Sequence, residues 1–298
     1  MGEAGTQRVA RASDGRDLTF EETGDLHGSP VFLLHGTPGS RLGPKPRTGV
    51  LYRLGVRLIS YDRPGYGGST RQEKRSVADA AGDIAAIADH LGIDTFAVVG
   101  RSGGGPHALA AAARLTDRVR RTGVLVGIAP SDAPGLDWLN GMTDANVREY
   151  EAADNDWPRY VERLRLQADR ARRNPDSMVD LLRLEMTAPD LRVTDDVMIR
   201  QLLTATYREA LSQGPFGWVD DVFAFRSAWG FDLRDITGTV LLWHGADDNF
   251  SPVSHARYLA AHVPYAEIQI QEDAAHFSAV EVLPEMLRWL VDDWPAPS

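Results

Sequence analysis

A glycine-rich segment around Ser102 carries the clearest chemical signal in the sequence. Residues 98–106 read Val-Val-Gly-Arg-Ser-Gly-Gly-Gly-Pro, so this serine lies in a Gly-x-Ser-x-Gly pattern. The pattern follows a predicted strand and precedes a predicted helix, which is the setting of a tight turn that presents a nucleophilic serine. Gly100 and Gly104 leave room where side chains would clash, and the start of a helix favours negative charge developing nearby. The segment therefore predicts a nucleophilic hydroxyl on Ser102.

A serine hydroxyl becomes a strong nucleophile only when a neighbouring base removes its proton, and imidazole titrates in the neutral range. Among the eight histidines, His276 is the predicted base because it follows the last predicted strand, residues 267–270, in a loop that opens the final helix. His107 is nearer to the serine but lies on a helix where packing is the expected role, and His255 is expected at the surface. An acid must orient the imidazole. Asp247 and Asp248 are adjacent candidates for that acid.

The composition argues against several other kinds of chemistry. A net charge of −10 disfavours nucleic acid as a partner, since a phosphate backbone demands clustered cations. Cysteine is absent, which excludes disulfides, thiol catalysis and cysteine-ligated metals. No group of histidines and carboxylates has the spacing of metal ligands. We therefore expect no metal, no cofactor, a small molecule as the substrate, and a monomer or homodimer.

The hydropathy of the chain predicts a cytoplasmic protein. No segment contains the roughly 18 uninterrupted apolar residues that a membrane helix requires, and residues 1–12 lack the apolar stretch of a signal peptide. Neither feature favours contact with a membrane. Only two of the 32 basic residues are lysine, while alanine, arginine, glycine and aspartate are abundant. This bias is typical of a GC-rich bacterial genome.

Short apolar runs alternate with helical patterns and would position the chemical groups. An opening hairpin is predicted at residues 7–12 and 17–22, because the Asp-Gly turn between them favours a tight reversal. Continuous apolar runs suit strands that are buried on both faces of a parallel sheet, and they follow at 30–34, 56–61, 95–99, 122–128 and 239–243. Helical patterns lie at 76–91, 104–115, 252–263 and 279–289. The alternation predicts an α/β fold with a mostly parallel, doubly wound sheet.

Residues 131–235 interrupt this alternation with a helical pattern and no convincing buried strand. A helical block of this length between two core strands predicts a lid inserted over the sheet. The core domain is accordingly assigned to residues 1–130 and 236–298, and the lid to 131–235. The block is rich in tryptophan and methionine, and most such side chains form a domain's own core. Trp138 and Trp218 are nevertheless possible substrate contacts.

Four blocks in this order resemble the α/β-hydrolase superfamily, in its branch with a serine nucleophile, over residues 7–289. The blocks are His35-Gly-Thr-Pro-Gly39, Tyr61-Asp-Arg-Pro-Gly-Tyr-Gly-Gly-Ser69, the Ser102 turn, and the late pair His244-Gly-Ala-Asp-Asp-Asn-Phe-Ser-Pro252 and Asp273-Ala-Ala-His276. The resemblance implies an α/β-hydrolase fold with a helical lid between two core strands. It also implies that the late pair of loops delivers the acid and the base.

The resemblance assigns roles to individual residues. The family pattern Gly-x-x-Asp-x-x-x-Pro maps its aspartate onto Asp248, which favours this residue over Asp247 as the acid beside His276. Asp132, after the preceding core strand, stays open as a third possibility. The backbone N–H groups of Thr37 and Gly103 would form the oxyanion hole.

Arg101 stands immediately before the predicted nucleophile, where many members of the family carry histidine, asparagine or tryptophan. Its guanidinium could bind a carboxylate or a carbonyl of the substrate. The alternative, which we weigh more heavily at this stage, is an internal ion pair, for example with Asp62 or with an acid of the lid.

The expected function is hydrolysis of a carboxylic ester or lactone of a small, largely apolar substrate through an acyl-serine intermediate. An amidase or aminopeptidase, and a carbon–carbon bond hydrolase, are alternatives on the same triad. An aminopeptidase would need acids of the lid to bind an ammonium group, and the candidates are Glu185, Asp195, Asp196 and Glu209. A different class also stays open, because this fold serves some small-molecule receptors and non-hydrolytic biosynthetic enzymes.

Overall fold

The computed structural model describes residues 7–292. Its centre is an eight-stranded sheet in the order β1-β2-β4-β3-β5-β6-β7-β8. The strands are β1 (Gln7–Arg11), β2 (Asp17–Gly24), β3 (Ser29–Leu34), β4 (Val56–Tyr61), β5 (Phe96–Arg101), β6 (Val119–Leu125), β7 (Thr239–Gly245) and β8 (Ala266–Gln271). β2 is antiparallel to both of its neighbours, and all the other pairs are parallel. The predicted α/β fold with a mostly parallel sheet is confirmed.

Eleven α-helices surround the sheet in the described part of the chain. They are α1 (Thr48–Arg53), α2 (Ala80–His90), α3 (Gly104–Arg114), α4 (Asp144–Asn155), α5 (Trp157–Arg173), α6 (Asp176–Arg183), α7 (Ala188–Thr194), α8 (Val197–Ala210), α9 (Phe216–Arg226), α10 (Val253–His262) and α11 (Ala279–Val291). Within residues 7–292, no helix combines the length and the apolar character needed to cross a bilayer.

Helices cover both faces of the central strands, and this explains the continuous apolar runs of the sequence. Successive side chains of a strand point to opposite faces. On β5, Val98 belongs to the apolar cluster shared with α2, α3 and α10, whereas Val99 belongs to the cluster shared with α1 and α11. Both valines are fully buried. A strand that is dry on two sides needs apolar residues at every position rather than at alternate ones.

Helices α4 to α9 lie between β6 and β7 and form an apolar cluster of their own, which includes Leu164, Leu203 and Trp218. Tyr66, Phe250 and Phe277 join this cluster from the loops that follow β4, β7 and β8. Those loops are at the carboxyl edge of the parallel strands, where α/β proteins bind their ligands. The helical insertion therefore packs directly on that edge. The domain boundaries at residues 131 and 235 stay a prediction.

β6 ends earlier than the apolar run at 122–128 predicts. The strand spans Val119–Leu125, and Val126 adopts a positive φ of 47°, which turns the chain out of the sheet. Val126 and Ile128 are still buried. The run is apolar beyond the strand because the residues after the turn also lie in the protein interior.

Candidate active site

The turn that carries Ser102 depends on the residues on either side of it. β5 ends at Arg101, α3 begins at Gly104, and Ser102 has a positive φ of 54°, a conformation that costs about 1–3 kcal/mol for a residue with a side chain. A Cβ atom on Gly100 would be 2.2 Å from the Gly104 carbonyl oxygen, and one on Gly104 would be 2.3 Å from the Leu34 carbonyl oxygen. Both positions therefore require glycine. The Ser102 N–H donates to the Leu125 carbonyl at 2.8 Å, which ties the turn to β6.

His276 and Asp248 come together from two neighbouring loops. Asp248 follows β7 and His276 follows β8, and these strands are parallel partners, so their carboxyl ends lie side by side. The distance from His276 Nδ1 to Asp248 Oδ2 is 2.8 Å. The other carboxylate oxygen, Oδ1, accepts the backbone N–H groups of Phe250 and Ser251 at 2.8 and 2.9 Å. Three hydrogen bonds thus hold a buried carboxylate against the imidazole.

The other two candidate acids lie elsewhere. Asp247 is exposed, and its contacts are made by the backbone: the N–H donates to the Ala274 carbonyl and the carbonyl accepts the Thr187 hydroxyl. Asp132 is also exposed, in the loop after β6. Among the three aspartates considered from the sequence, Asp248 is the one that the structure places against His276.

Ser102 and His276 line one cavity, which we call the Ser102 cavity and whose volume is about 190 Å³. Thr37, Gly103, Arg101 and Trp218 line it as well. Its apolar wall includes Ile128, Met178, Leu181, Leu182, Val222 and Phe225. The cavity therefore combines the predicted nucleophile and base with a mainly apolar surface, both aliphatic and aromatic, at the place where the helical insertion meets the edge of the sheet.

Two backbone N–H groups beside Ser102 lack protein acceptors. Within residues 7–292, neither the Thr37 N–H nor the Gly103 N–H makes a hydrogen bond. The two segments touch each other, since a Cβ atom on Gly103 would be 2.3 Å from Thr37 Oγ1. Gly103 also precedes the first turn of α3, whose dipole favours negative charge. The arrangement is that of two free donors beside the serine.

A buried ionic cluster holds the loop that contains Thr37, which we call the His35 loop (residues 35–39). Asp221, on α9, accepts the Thr37 hydroxyl at 2.5 Å, the Tyr66 hydroxyl at 2.8 Å and the Arg75 guanidinium at 2.6 Å. Arg63 donates to the same carboxylate and to the carbonyls of His35 and Gly36. Burial alone would raise the pKa of Asp221, but the two guanidinium groups outweigh it and hold this pKa well below its usual range.

Two other histidines, His35 and His107, have structural roles. His35 accepts the Arg63 N–H on Nε2 at 3.1 Å, and its Nδ1 is 2.8 Å from the Gly36 carbonyl oxygen. His107 is fully buried, with Nδ1 2.8 Å from the Gly103 carbonyl oxygen, and burial lowers its pKa to about 3. Neither ring lines the Ser102 cavity. These contacts leave His276 as the imidazole that faces the cavity.

Arg101 lines the Ser102 cavity without an acidic partner. Within the described residues, no carboxylate oxygen is within 4 Å of its guanidinium, and the side chain makes no hydrogen bond. Asp62, named above as a possible partner, instead accepts the backbone N–H of Arg41 at 2.7 Å and also binds the Arg41 guanidinium. The internal ion pair that we favoured for Arg101 on the sequence alone is therefore wrong.

The two tryptophans considered as substrate contacts differ in position. Trp218 lines the cavity, and its Nε1 donates to Glu149 at 2.9 Å. Trp138 is not among the residues that line the cavity: its Nε1 donates to the Ala129 carbonyl at 2.7 Å, and its own carbonyl is 3.0 Å from Nε2 of His255. This histidine is fully buried. The expectation that it lies at the surface is wrong.

Glu149 is a cavity residue that the sequence analysis missed. Its Oε1 accepts the indole N–H of Trp218 at 2.9 Å and the hydroxyl of Tyr160 at 3.2 Å, and burial raises its pKa from about 4.5 to about 7. Asn146 and Tyr150 line the cavity from the same face of α4. Glu149 and Tyr150 follow Asn146 by three and four residues, and this helical spacing is the one sequence signal for a shared face. The many charged residues of α4 hide that signal.

The acids of the insertion that were considered for binding an ammonium group are mostly engaged elsewhere. Glu185 lines the cavity. Asp195 pairs with Arg183, Asp196 caps the first turn of α8, and Glu209 binds Arg41. Two carboxyl groups, those of Glu149 and Glu185, therefore belong to the cavity wall.

Asp190, on α7, is a second residue that the sequence analysis missed. It is fully buried, and its Oδ1 accepts the backbone N–H of Phe277 at 2.6 Å, directly after His276. Burial raises the pKa of Asp190 to about 6, although the nearby His276 acts in the opposite direction. A helix of the insertion thus anchors the loop that carries the imidazole. Within residues 7–292, no group of three or more histidines and carboxylates is placed to hold a metal ion.

The chain belongs to the alpha/beta hydrolase fold family, whose model matches residues 29–281. The matched range contains the Ser102 turn and the loops that carry Asp248 and His276. The chain is therefore a member of the family that the motifs of the sequence predicted.

Individual proteins that the chain resembles share between 23% and 36% of its residues over the matched regions. The chain is 36% identical over 110 residues to a proline iminopeptidase of Xanthomonas citri, a match that covers 36% of this chain and only 35% of that protein. It is 28% identical over 269 residues to the 2-hydroxymuconate semialdehyde hydrolase of Pseudomonas putida, covering 85% and 83% of the two chains. Among solved structures, an esterase from a Rhodococcus species superposes with a TM-score of 0.68 at 23% identity, covering 96% of this chain and 98% of that one. This last likeness concerns the fold.

Proposed function

We propose that this protein is a serine hydrolase that cleaves an ester-type bond, in a carboxylic ester or a lactone, of a small and largely apolar substrate. The observation that carries the proposal is the geometry of the triad. Ser102 is held on a tight turn in the same cavity as His276, and His276 Nδ1 is 2.8 Å from the buried carboxylate of Asp248.

The reaction follows from this arrangement. With its Nδ1 proton donated to Asp248, His276 has Nε2 free to take the proton of the Ser102 hydroxyl while Oγ attacks the substrate carbonyl carbon. The carbonyl oxygen becomes an oxyanion, and the free N–H groups of Thr37 and Gly103 stabilise it. The imidazolium then gives its proton to the leaving alcohol as the bond from carbon to oxygen breaks, which leaves an acyl ester on Ser102. A water molecule, deprotonated by His276, then attacks the acyl carbon. The bond from that carbon to Ser102 Oγ breaks, His276 returns its proton to Oγ, and the acid is released.

The cavity wall supports an apolar substrate. Methionine, leucine, valine and phenylalanine side chains of the insertion form much of its surface. Removing apolar substrate surface from water at this wall contributes roughly 25 cal/mol per Å². Trp138 lies outside the wall, so Trp218 is the predicted tryptophan contact.

A second candidate is hydrolysis of a carbon–carbon bond on the same triad. The observation that favours it is the match to the Pseudomonas putida hydrolase, because that match covers 83% of the relative, whereas the match to the proline iminopeptidase covers 35%. An aminopeptidase would use Glu149 and Glu185 for a substrate ammonium group, and we rank it third.

The test is a panel of p-nitrophenyl esters with acyl chains of increasing length, assayed with the wild type, Ser102→Ala and the control Ser212→Ala. Ser212 is exposed and lies between α8 and α9, so its loss should not change turnover. We expect Ser102→Ala to lose both hydrolysis and labelling by a fluorophosphonate. Equal hydrolysis by the wild type and Ser102→Ala would refute the serine mechanism. A wild type that is inert toward every ester and amide would favour a receptor or a non-hydrolytic enzyme.

A further inference from the structure

Arg101 places a positive charge on the wall of the Ser102 cavity, one residue before the proposed nucleophile. Other buried arginines of the protein are paired: Arg41 with Asp62, and both Arg63 and Arg75 with Asp221. Arg101 differs, since within residues 7–292 its guanidinium has neither a carboxylate partner nor a hydrogen bond.

The missing partner matters because Arg101 is partly buried, on the wall of a cavity enclosed by the sheet edge and the helical insertion. Burial lowers the pKa of Arg101, but a guanidinium stays protonated at every physiological pH. A partly buried cation without a partner is less stable than one that is paired and hydrogen-bonded. An anionic group that enters the cavity would therefore form the ion pair that Arg101 does not make with the protein.

Tyr207 provides a second donor at the same place. It extends from α8, lines the Ser102 cavity and interacts electrostatically with Arg101. Burial raises the pKa of Tyr207 to about 12, so its phenol is neutral and keeps its proton. Within the described part of the chain this hydroxyl makes no hydrogen bond. A guanidinium and a phenol, both unpartnered, thus share one wall.

The two acidic residues of the cavity are not carboxylate partners of Arg101. Glu149 is hydrogen-bonded to Trp218 and Tyr160, and Glu185 is 4.0 Å from Arg148. Both carboxyl groups also disfavour a multiply charged ligand such as a phosphate dianion, because like charges in one small cavity repel. A single carboxylate, whose two oxygens match the planar fork of a guanidinium, suits the site.

We propose that Arg101 and Tyr207 form a carboxylate-binding subsite in the Ser102 cavity, and that the preferred substrate carries a free carboxylate in addition to the bond that is cleaved. The proposal rests on the function proposed above and specifies its substrate class. The substrate would be an ester or lactone with a short apolar body, whose carboxylate is bound at Arg101 while its carbonyl meets Ser102.

Matched pairs of substrates test the subsite. The mono-p-nitrophenyl ester of glutaric acid is compared with its methyl-capped neutral analogue, and 4-carboxyphenyl butanoate with its carboxamide, so that the carboxylate lies on either side of the ester. The readout is the ratio of kcat/KM for the anionic substrate to kcat/KM for the neutral one. Hydrogen bonds to charged groups predict that Arg101→Met lowers this ratio roughly 10- to 100-fold. Arg101→Lys should lower it less.

Two further variants sharpen the comparison. Tyr207→Phe removes one neutral donor, so it should lower the ratio roughly 3- to 10-fold. Arg200→Met is the control, because Arg200 is on the exposed side of α8 and pairs with Asp180. It should leave the ratio unchanged. A ratio that is the same in Arg101→Met and in the wild type, for both substrate pairs, would overturn the subsite and leave the serine mechanism intact.

Binding without turnover separates the two proposals. In the Ser102→Ala background, calorimetry compares hexanoate with hexanamide, and we expect hexanoate to bind more tightly by roughly 10-fold or more. That preference should disappear on adding Arg101→Met, or shrink with Tyr207→Phe if the first double variant does not fold. Equal binding of the two ligands would refute the subsite. Undiminished ester hydrolysis by Ser102→Ala would refute the serine mechanism and leave the binding result to stand by itself.

Discussion

Thr37 Oγ1 donates a hydrogen bond of 2.5 Å to Asp221 Oδ2, across 184 residues of sequence. The bond links the His35 loop, which carries a proposed oxyanion donor, to helix α9 of the helical insertion. The insertion therefore does more than cover the cavity. It holds the loop beside Ser102 through a carboxylate that also neutralises Arg63 and Arg75.

Asp221→Asn should destabilise the protein strongly, because it leaves two buried guanidinium groups without their shared anion. Removing one partner of a buried ion pair typically costs about 3–5 kcal/mol. The free energy of unfolding, measured by urea titration, should fall by that order. Asp180→Asn is the control, since its bond to Arg200 is exposed and contributes little. An Asp221→Asn protein as stable as the control would mean that the cluster does not hold the His35 loop.

Asp248→Asn and Asp247→Asn provide a matched test of the acid. Asparagine at 248 keeps the shape but favours the wrong imidazole tautomer, so kcat for a good ester should fall roughly 10³- to 10⁴-fold. Asparagine at 247 changes an exposed carboxylate and should leave kcat nearly unchanged. The measurement is steady-state turnover at pH 7–8. The opposite pattern would reassign the acid to Asp247.

Glu149→Gln should stabilise the protein at alkaline pH. The pKa of this carboxyl is about 7 in the folded state and near 4.5 in the unfolded chain, so the folded state binds the proton more tightly. Protonated Glu149 therefore makes its full contribution to the free energy of unfolding below about pH 4.5. That contribution is lost as the pH rises through 7. Glutamine keeps the oxygen that accepts from Trp218 and Tyr160 and carries no charge.

The experiment for Glu149 is urea unfolding of both proteins between pH 4.5 and 8.5. We expect equal stability at the acidic end and a gain of about 1–3 kcal/mol for Glu149→Gln at the alkaline end. Glu151→Gln, an exposed substitution on the same helix, serves as the control. A gain that is independent of pH would contradict the proposed burial of charge.

Gly104→Ala and Gly82→Ala should have opposite effects. A Cβ atom at 104 would be 2.3 Å from the Leu34 carbonyl oxygen, so the Ser102 turn must distort, and we expect loss of both stability and ester hydrolysis. Position 82 lies within α2, and apart from the helix's own backbone and the neighbouring residues nothing lies within 4 Å of an added Cβ, so alanine there should raise the free energy of unfolding by about 0.5–1 kcal/mol. Thermal unfolding of both variants measures the contrast. Equal tolerance of the two substitutions would contradict the close packing of the turn.

Ser102 could be predicted as the nucleophile because the evidence for it is local. A glycine pattern of five residues between a strand and a helix is contained in a few adjacent positions, and backbone sterics explain why those positions need glycine. The parallel sheet was equally predictable, since strands that are buried on both faces must be apolar throughout. The proposed pairing of His276 with Asp248 depended on the order of loops that recurs in this family.

The partners and the burial of the charged side chains could not be predicted from local sequence. Arg101 and Arg63 are both arginines at the end of a core strand or just after one. Arg101 has no carboxylate partner among the described residues, whereas Arg63 binds Asp221, 158 residues away. Glu149 lies on a helix that is charged along much of its length, and only the packing of that helix over the cavity buries its carboxyl.

The sequence by itself thus determined the fold class and the proposed nucleophile, because short-range sterics and the periodicity of apolar residues dictate both. The tertiary structure decided which charges are neutralised and which face the cavity. The physical reason is that a charge is stabilised by groups within a few ångströms in space, and those groups arrive from distant parts of the chain.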